Sequence, residues 1–211
     1  MRISVKGLAK FMTSGEAAKR KILKDFKFPN PEGGVQAAYY VEARHAIAQY
    51  HNSGNDPAVI VAEVQRLGQK AYRATGGKRT RLEHNMRALQ SYLENFGREE
   101  FKVLATPSIS LRKGDVVVSA RPDLFVRHDG REKLIKLDLG TSTPIPRVIN
   151  ITIQVIYDAA LSDGIEVLPK DVIYIDVARA EAHLGARVRT RLRTEIQAAC
   201  QNIEALWPTI N

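Results

Sequence analysis

Ser119-Ala120-Arg121-Pro122-Asp123-Leu124-Phe125-Val126-Arg127, followed by His128-Asp129-Gly130-Arg131 and then Glu132-Lys133-Leu134-Ile135-Lys136-Leu137-Asp138-Leu139-Gly140, predicts two antiparallel strands joined by a two-residue turn. Asp-Gly is the dipeptide a type I′ turn needs, because both central residues take positive φ. With Asp129-Gly130 as that turn, the pairing follows by counting outward. His128 opposes Arg131, Arg127 opposes Glu132, Phe125 opposes Leu134, Asp123 opposes Lys136, and Arg121 opposes Asp138. Side chains alternate faces along a strand, so Arg121, Asp123, Lys136 and Asp138 are expected to share one side of the sheet. Leu124, Val126, Ile135, Leu137 and Leu139 fall on the other side as a core face, interrupted only by Lys133 near the turn.

Two carboxylates on facing strands repel unless positive charge lies between them. A divalent, oxygen-seeking ion such as Mg²⁺ or Mn²⁺ is one answer, held by one or two carboxylates, water and a substrate phosphate. The other is that Lys136 and Arg121 neutralise the pair on a solvated sheet face.

A chain of 211 residues suits a single domain, and 32 Lys and Arg against 23 Asp and Glu leave a net charge of +9. That excess suits a polyanionic partner, nucleic acid first among them. The only cysteine, Cys200, leaves no internal disulfide, no Cys₄ zinc site and no cysteine-ligated iron–sulfur cluster. With no apolar signal core at Met1–Lys6 and no apolar run of membrane-spanning length, the expectation is a cytoplasmic protein that does not enter a membrane.

Residues 1–100 read as a helical part and 101–211 as an αβ core. Thr13-Ser14-Gly15-Glu16 has capping-box spacing before a helix at Ala17–Lys24, and a second helix is expected from about Val35 to His51. Asp56-Pro57 opens a third, with Ile60, Val64, Leu67 and Ala71 on its apolar face. Gly76-Gly77-Lys78-Arg79 reads as a basic loop before a capping box at Thr80–Glu83. The helix after it carries Met86, Leu89, Leu93 and Phe96 and stops at Gly97.

From Phe101 the period changes to that of strands. Ile109 and Leu111 alternate with polar residues, Lys113-Gly114 turns, and Val116–Val118 leads into the hairpin. A helix is expected from Arg147 to about Leu161, a doubly buried strand at Val172–Val177, and a last helix from about Ala186 to Leu206. That helix would carry Arg187, Arg189, Arg191 and Arg193 in its first two turns. Cations sit badly against the positive end of a helix dipole, so an anionic partner is one compensation and a solvated basic face the other.

This order of elements, with Arg121-Pro122-Asp123 on one strand and Leu137-Asp138-Leu139-Gly140-Thr141 on the next, resembles the RecB-like branch of the PD-(D/E)XK nuclease superfamily. The opening Arg2–Leu8, the helix bearing His45 and the helix bearing Gln154 and Tyr157 are similar to that branch's landmarks. The resemblance implies an α/β fold with a restriction-endonuclease-like mixed sheet of about four strands flanked by helices. It also implies that Asp123 and Asp138 hold the metal, with His45 as the supporting histidine and Glu42, one turn earlier, as its rival. The sequence departs from the pattern at the motif lysine, whose place is taken by Gly140, and in the spacing of Gln154 and Tyr157, which is three rather than four. Glycine cannot polarise a water or balance phosphate charge. Lys136, on the same strand face as Asp138, is the candidate substitute. The branch's iron–sulfur members need four cysteines, which this chain lacks.

The function expected on these grounds is Mg²⁺- or Mn²⁺-dependent hydrolysis of DNA phosphodiesters by Asp123, Asp138, Lys136 and His45. Lys78, Arg79, Arg121, Arg187, Arg189, Arg191 and Arg193 would contact backbone phosphates. The alternative is a catalytically inactive protein of the same fold that binds nucleic acid, a protein partner or a second copy of itself. Gly140 is the residue that separates the two.

Overall fold

The computed structural model describes residues 1–29 and 39–211. Strand β1 (Arg2–Ser4) leads into helices α1 (Val5–Thr13), α2 (Glu16–Lys27), α3 (Val41–Asn52), α4 (Pro57–Tyr72) and α5 (Gly76–Phe96). Strands β2 (Lys102–Leu104), β3 (Ser110–Lys113), β4 (Val116–Ser119), β5 (Leu124–His128) and β6 (Arg131–Asp138) follow. The chain ends with α6 (Pro146–Ser162), β7 (Val172–Asp176), β8 (Glu181–Leu184) and α7 (Thr190–Leu206). The molecule is mixed α/β, with helices flanking a five-stranded sheet ordered β2-β5-β6-β7-β8 and a three-stranded sheet ordered β1-β4-β3. None of the described helices is long and apolar enough to cross a membrane.

The hairpin forms in the expected register. Asp129 and Gly130 take φ of 52° and 72°, and His128 opposes Arg131, Arg127 opposes Glu132 and Phe125 opposes Leu134. The ladder extends one bond further, from the Asp123 N–H to the Ile135 carbonyl at 2.8 Å. There it stops, because Ala120–Asp123 is not strand and Pro122 has no N–H to donate. The expected pair of Arg121 with Asp138 is therefore absent. This break also divides the single sheet expected from sequence. The β3–β4 hairpin, turned at Gly114 (φ 59°), stays with β1 in the small sheet, while β5 and β6 enter the large one. Beyond the hairpin, the large sheet gains β7 parallel to β6 through α6, and the short strands β2 and β8 on its edges.

The helical part holds one strand, since β1 pairs in parallel with β4 through Arg2–Val117, Ile3–Val118 and Ser4–Ser119. Helix α1 starts directly behind it, where the Ser4 hydroxyl accepts from the Gly7 N–H at 3.0 Å. Helix α2 opens at Glu16 after Gly15 with no capping side chain, so the box expected there does not form. The helix expected from Val35 begins at Val41, and its residues 35–38 lie outside the described ones. Helix α4 opens as expected, with Asp56 Oδ1 accepting from the Ala58 N–H at 2.9 Å and Pro57 in its first turn. Gly76–Arg79 is not a loop but the first turn of α5, so the helix starts four residues before the expected cap at Thr80. Helix α7 starts at Thr190, which leaves Arg187 in the preceding loop and Arg189 at the cap position rather than inside the helix.

Both faces of the large sheet are covered. Leu124, Val126, Ile135, Leu137, Ile173 and Ile175 are buried together with Ile47, Ile60, Leu67, Leu89 and Tyr92 of α3–α5. Leu134, Val172 and Tyr174 of the opposite face join Leu8, Phe11, Ile151, Val155, Ile156, Ile196 and Ile203 of α1, α6 and α7, together with Ile3 and Val118 of the small sheet. The face that carries Asp123, Lys136 and Asp138 is thus core through its middle and polar at both ends, at the exposed Arg127–Glu132 pair beside the turn and at the end of β6.

One buried polar group among the helices sets a pH limit on stability. His51, 4% exposed, places Nδ1 2.8 Å from Asn55 Oδ1 and Nε2 2.7 Å from the Tyr92 hydroxyl. A neutral ring satisfies both contacts, with Nδ1–H donating and Nε2 accepting. Burial lowers the His51 pKa, partly offset by the Asn55 bond. A depressed folded pKa stabilises the protein above the unfolded value of about 6.5 and loses that contribution as pH falls below it. Thermal melts at pH 7 and pH 5 should show a drop that His51→Gln reduces, and an unchanged drop in that variant would refute the assignment.

Candidate functional site

Asp123 and Lys136 meet at the place where β5 begins and β6 nears its end. The Asp123 side chain is 8% exposed, and Lys136 Nζ lies 3.1 Å from its Oδ2. The same oxygen accepts from the Leu137 N–H at 2.8 Å, so the carboxylate continues the ladder where the backbone leaves it. Arg44 Nε lies 3.0 Å from Oδ1, with its N–H aimed off the line of a hydrogen bond. Lys136 also donates to the Arg121 carbonyl at 3.3 Å. The Arg121 side chain itself is exposed.

Asp138 follows two residues after Lys136 and so lies on the same strand face. Its Oδ2 accepts from the Tyr174 hydroxyl at 2.5 Å and its Oδ1 from the Gly140 N–H at 3.1 Å, while Lys6 Nζ stands 4.0 Å from Oδ1. Tyr174 comes from β7, where parallel pairing sets it beside Lys136. Burial, then the bond to Asp138, then the nearby carboxylates raise its pKa well above the ordinary phenol value, so it serves as a donor. Tyr40 feels the same field: burial first, then Tyr39 and Asp138, raise its pKa. At the end of β7, Asp176 sits in register with Asp138 but is 1% exposed and paired with Arg179 at 3.0 Å.

Arg44, Tyr174 and Lys6 are the residues that sequence reasoning missed. Arg44 is next to His45 on α3, but neighbouring helical residues point about 100° apart, and here it is Arg44 that meets the acid. His45 is exposed. Glu42 pairs instead with Arg81 at 3.1 Å. Tyr174 could not be assigned to Asp138 without the register of a parallel pair, which sequence does not encode locally.

Each oxygen of Asp123 and Asp138 already faces a protein donor or cation, and Gly140 contributes only its N–H. Among the described residues no group of three or more His, Cys, Asp or Glu side chains is placed to hold a metal ion. His45 does not complete one.

The remaining expected residues lie elsewhere. Gln154 is buried at 4% exposure, donating to Asp158 Oδ1 at 3.0 Å and accepting from the Arg189 N–H at 3.0 Å. Asp158 in turn holds the Arg193 guanidinium through both of its oxygens, so that arginine is committed to the fold. Tyr157 is half-buried against the core on the α1–α6–α7 side. Lys78 is exposed in the first turn of α5, and Arg79 pairs with Glu83 at 2.8 Å. Arg187, Arg189 and Arg191 line a cleft of about 580 Å³ together with Arg147, Asn150 and Glu195. No protein-family model matches the chain, and neither does any curated protein or solved structure.

Proposed function

We propose that the chain is a nucleic-acid-binding protein of restriction-endonuclease-like architecture whose acid patch is held by its own cations and does not cleave phosphodiesters. The antiparallel β2-β5-β6 ladder, the crossover helix α6 and the parallel strand β7 support that architecture. The observation that carries the non-hydrolytic reading is the double engagement of Asp123 by Lys136 and Arg44, with Gly140 where the related nucleases place a lysine. A metal would have to displace two cations from a carboxylate that is 8% exposed. The net charge of +9 and the arginine-lined cleft support a nucleic-acid partner.

The test incubates labelled single- and double-stranded DNA with the purified protein in Mg²⁺ or Mn²⁺, with binding followed by anisotropy. The expected result is binding at low salt with no cleavage in either ion. Cleavage that Asp138→Ala abolishes would overturn the non-hydrolytic reading in favour of a metal-dependent nuclease using Asp123, Lys136 and Asp138. Absence of binding at low salt would overturn the nucleic-acid reading itself. Gly140→Lys is a complementary test: its Cβ comes 3.2 Å from Asp138 Oδ1, which must give by a few tenths of an ångström, and cleavage by that variant alone would support the nuclease-like architecture with its chemistry lost.

A further inference from the structure

The arginine-lined cleft is open and its arginines are exposed, and two helix starts bring them together. Its two walls are the first turns of α6 and α7, and neither helix has a capping side chain at its start, where Ile145 and Arg189 occupy the cap positions. Glu195 joins the walls, receiving Arg191 Nε on one oxygen and Arg147 Nη2 on the other, each at 3.1 Å. One carboxylate thus draws together two exposed guanidiniums from two helices, and each keeps further N–H donors free.

The loop before α7 is pinned at both ends. The Gly185 N–H donates to the Val172 carbonyl at 3.1 Å, and a Cβ at Gly185 would stand 2.1 Å from the Pro169 carbonyl oxygen, so only glycine fits. At the other end the Arg189 N–H donates to the buried Gln154. Between these pins the chain presents Arg187 and Arg189, to which the described residues offer no carboxylate partner. Four arginines and one glutamate therefore border one open cleft. Their charge is gathered in one place, whereas a surface that follows a nucleic-acid backbone spreads its cations along a track.

Resting on the nucleic-acid reading above, we infer that this cleft receives the terminal phosphate of a nucleic-acid strand. A phosphomonoester end carries nearly two negative charges at neutral pH and three strong acceptor oxygens, where an internal diester carries one charge. Guanidinium forks match those oxygens bidentately, and the N–H groups left free in the first turn of α7 add donors of the same sign; at α6 the first residue is Pro146 and the Val148 N–H is taken by the Ile145 carbonyl. The arginines that conflict with the helix dipoles in the free protein then share an anion with them.

The experiment measures anisotropy of one single-stranded oligonucleotide in three forms: 5′-phosphorylated, 3′-phosphorylated and with hydroxyl ends. One phosphorylated form should bind about tenfold more tightly than the hydroxyl form. The double substitution Arg187→Ala with Arg189→Ala, both at exposed loop positions, should weaken all three forms and bring their affinities together, abolishing that preference. Circular dichroism and a melting curve establish that the variant is folded. The corresponding lysine pair should keep part of the preference, since the charge stays and the fork is lost. Equal affinity for all three forms would overturn the inference and leave the nucleic-acid reading standing. No binding of any form at low salt would overturn both.

Discussion

Raising monovalent salt from about 50 to about 200 mM will weaken DNA binding by roughly 150-fold. The magnitude follows from the cations that the fold leaves without a carboxylate. Of the residues expected to contact phosphates, Lys78, Arg121, Arg187 and Arg189 are exposed and make no ion pair among the described residues, whereas Arg79 and Arg191 are paired. About four neutralised phosphates give a slope near −3.6 in log K against log salt, since each contact releases about 0.9 counterion from duplex DNA. Arg193 is left out of the count because Asp158 holds it. Substituting Arg187 and Arg189 together should bring the slope down by about two, with a uniform loss across sequences. Anisotropy titrations at several salt concentrations measure both quantities. A flat dependence would mean that the basic surface is not the DNA-binding face.

Asp123→Ala will destabilise the fold by about 3 kcal/mol, because removing one member of a buried ion pair leaves the others without compensation. Lys136 and Arg44 would then face each other at a site where their shared carboxylate was 8% exposed, and the Leu137 N–H would lose its acceptor. Asp123→Asn should lose less, since the amide oxygen can still accept from Leu137. Lys136→Ala in the Asp123→Ala background should recover part of the loss, so the two substitutions will not add. Urea unfolding of these four proteins and of Lys136→Ala alone reads all of this out. A cost below about 1 kcal/mol for Asp123→Ala would show that the cluster behaves as a solvated surface pair.

The hairpin was legible because its information is local. Asp129-Gly130 forces the turn, the turn forces the register, and the alternation of Leu124, Val126, Ile135 and Leu137 confirms which face is core. The helix starting at Asp56-Pro57 and the stop at Gly97 were legible for the same reason. What the sequence concealed is mostly long-range. Strands β2 and β8, of three and four residues, are too short and polar to show a period, and they exist because neighbouring edges offer free N–H and C=O groups. The pairing of Tyr174 with Lys136 depends on a parallel register set by the packing of α6. Gly76-Gly77 misled because glycine usually ends helices, yet here it begins one. Of the candidate site, Asp123 and Lys136 were read from the turn count. His45 was read as the supporting histidine, whereas it is the neighbouring Arg44 that meets Asp123, a step of about 100° around the helix.

The parallel seam between β1 and β4 has a consequence for how the chain is made. Met1 and Asp115, which share a hydrogen bond at one end of that seam, are 114 residues apart. A ribosome adding about 5–20 residues per second needs about 6–23 s to cover that distance. For that interval β1 has been synthesised while its partner has not, and the apolar side of α1 is equally without its cover from α6 and α7. Helices α3, α4 and α5, whose contacts with one another are closer in sequence, can associate in the meantime. The two sides of the large sheet therefore mature at different times, the α3–α5 side first and the side carrying the amino-terminal strand last.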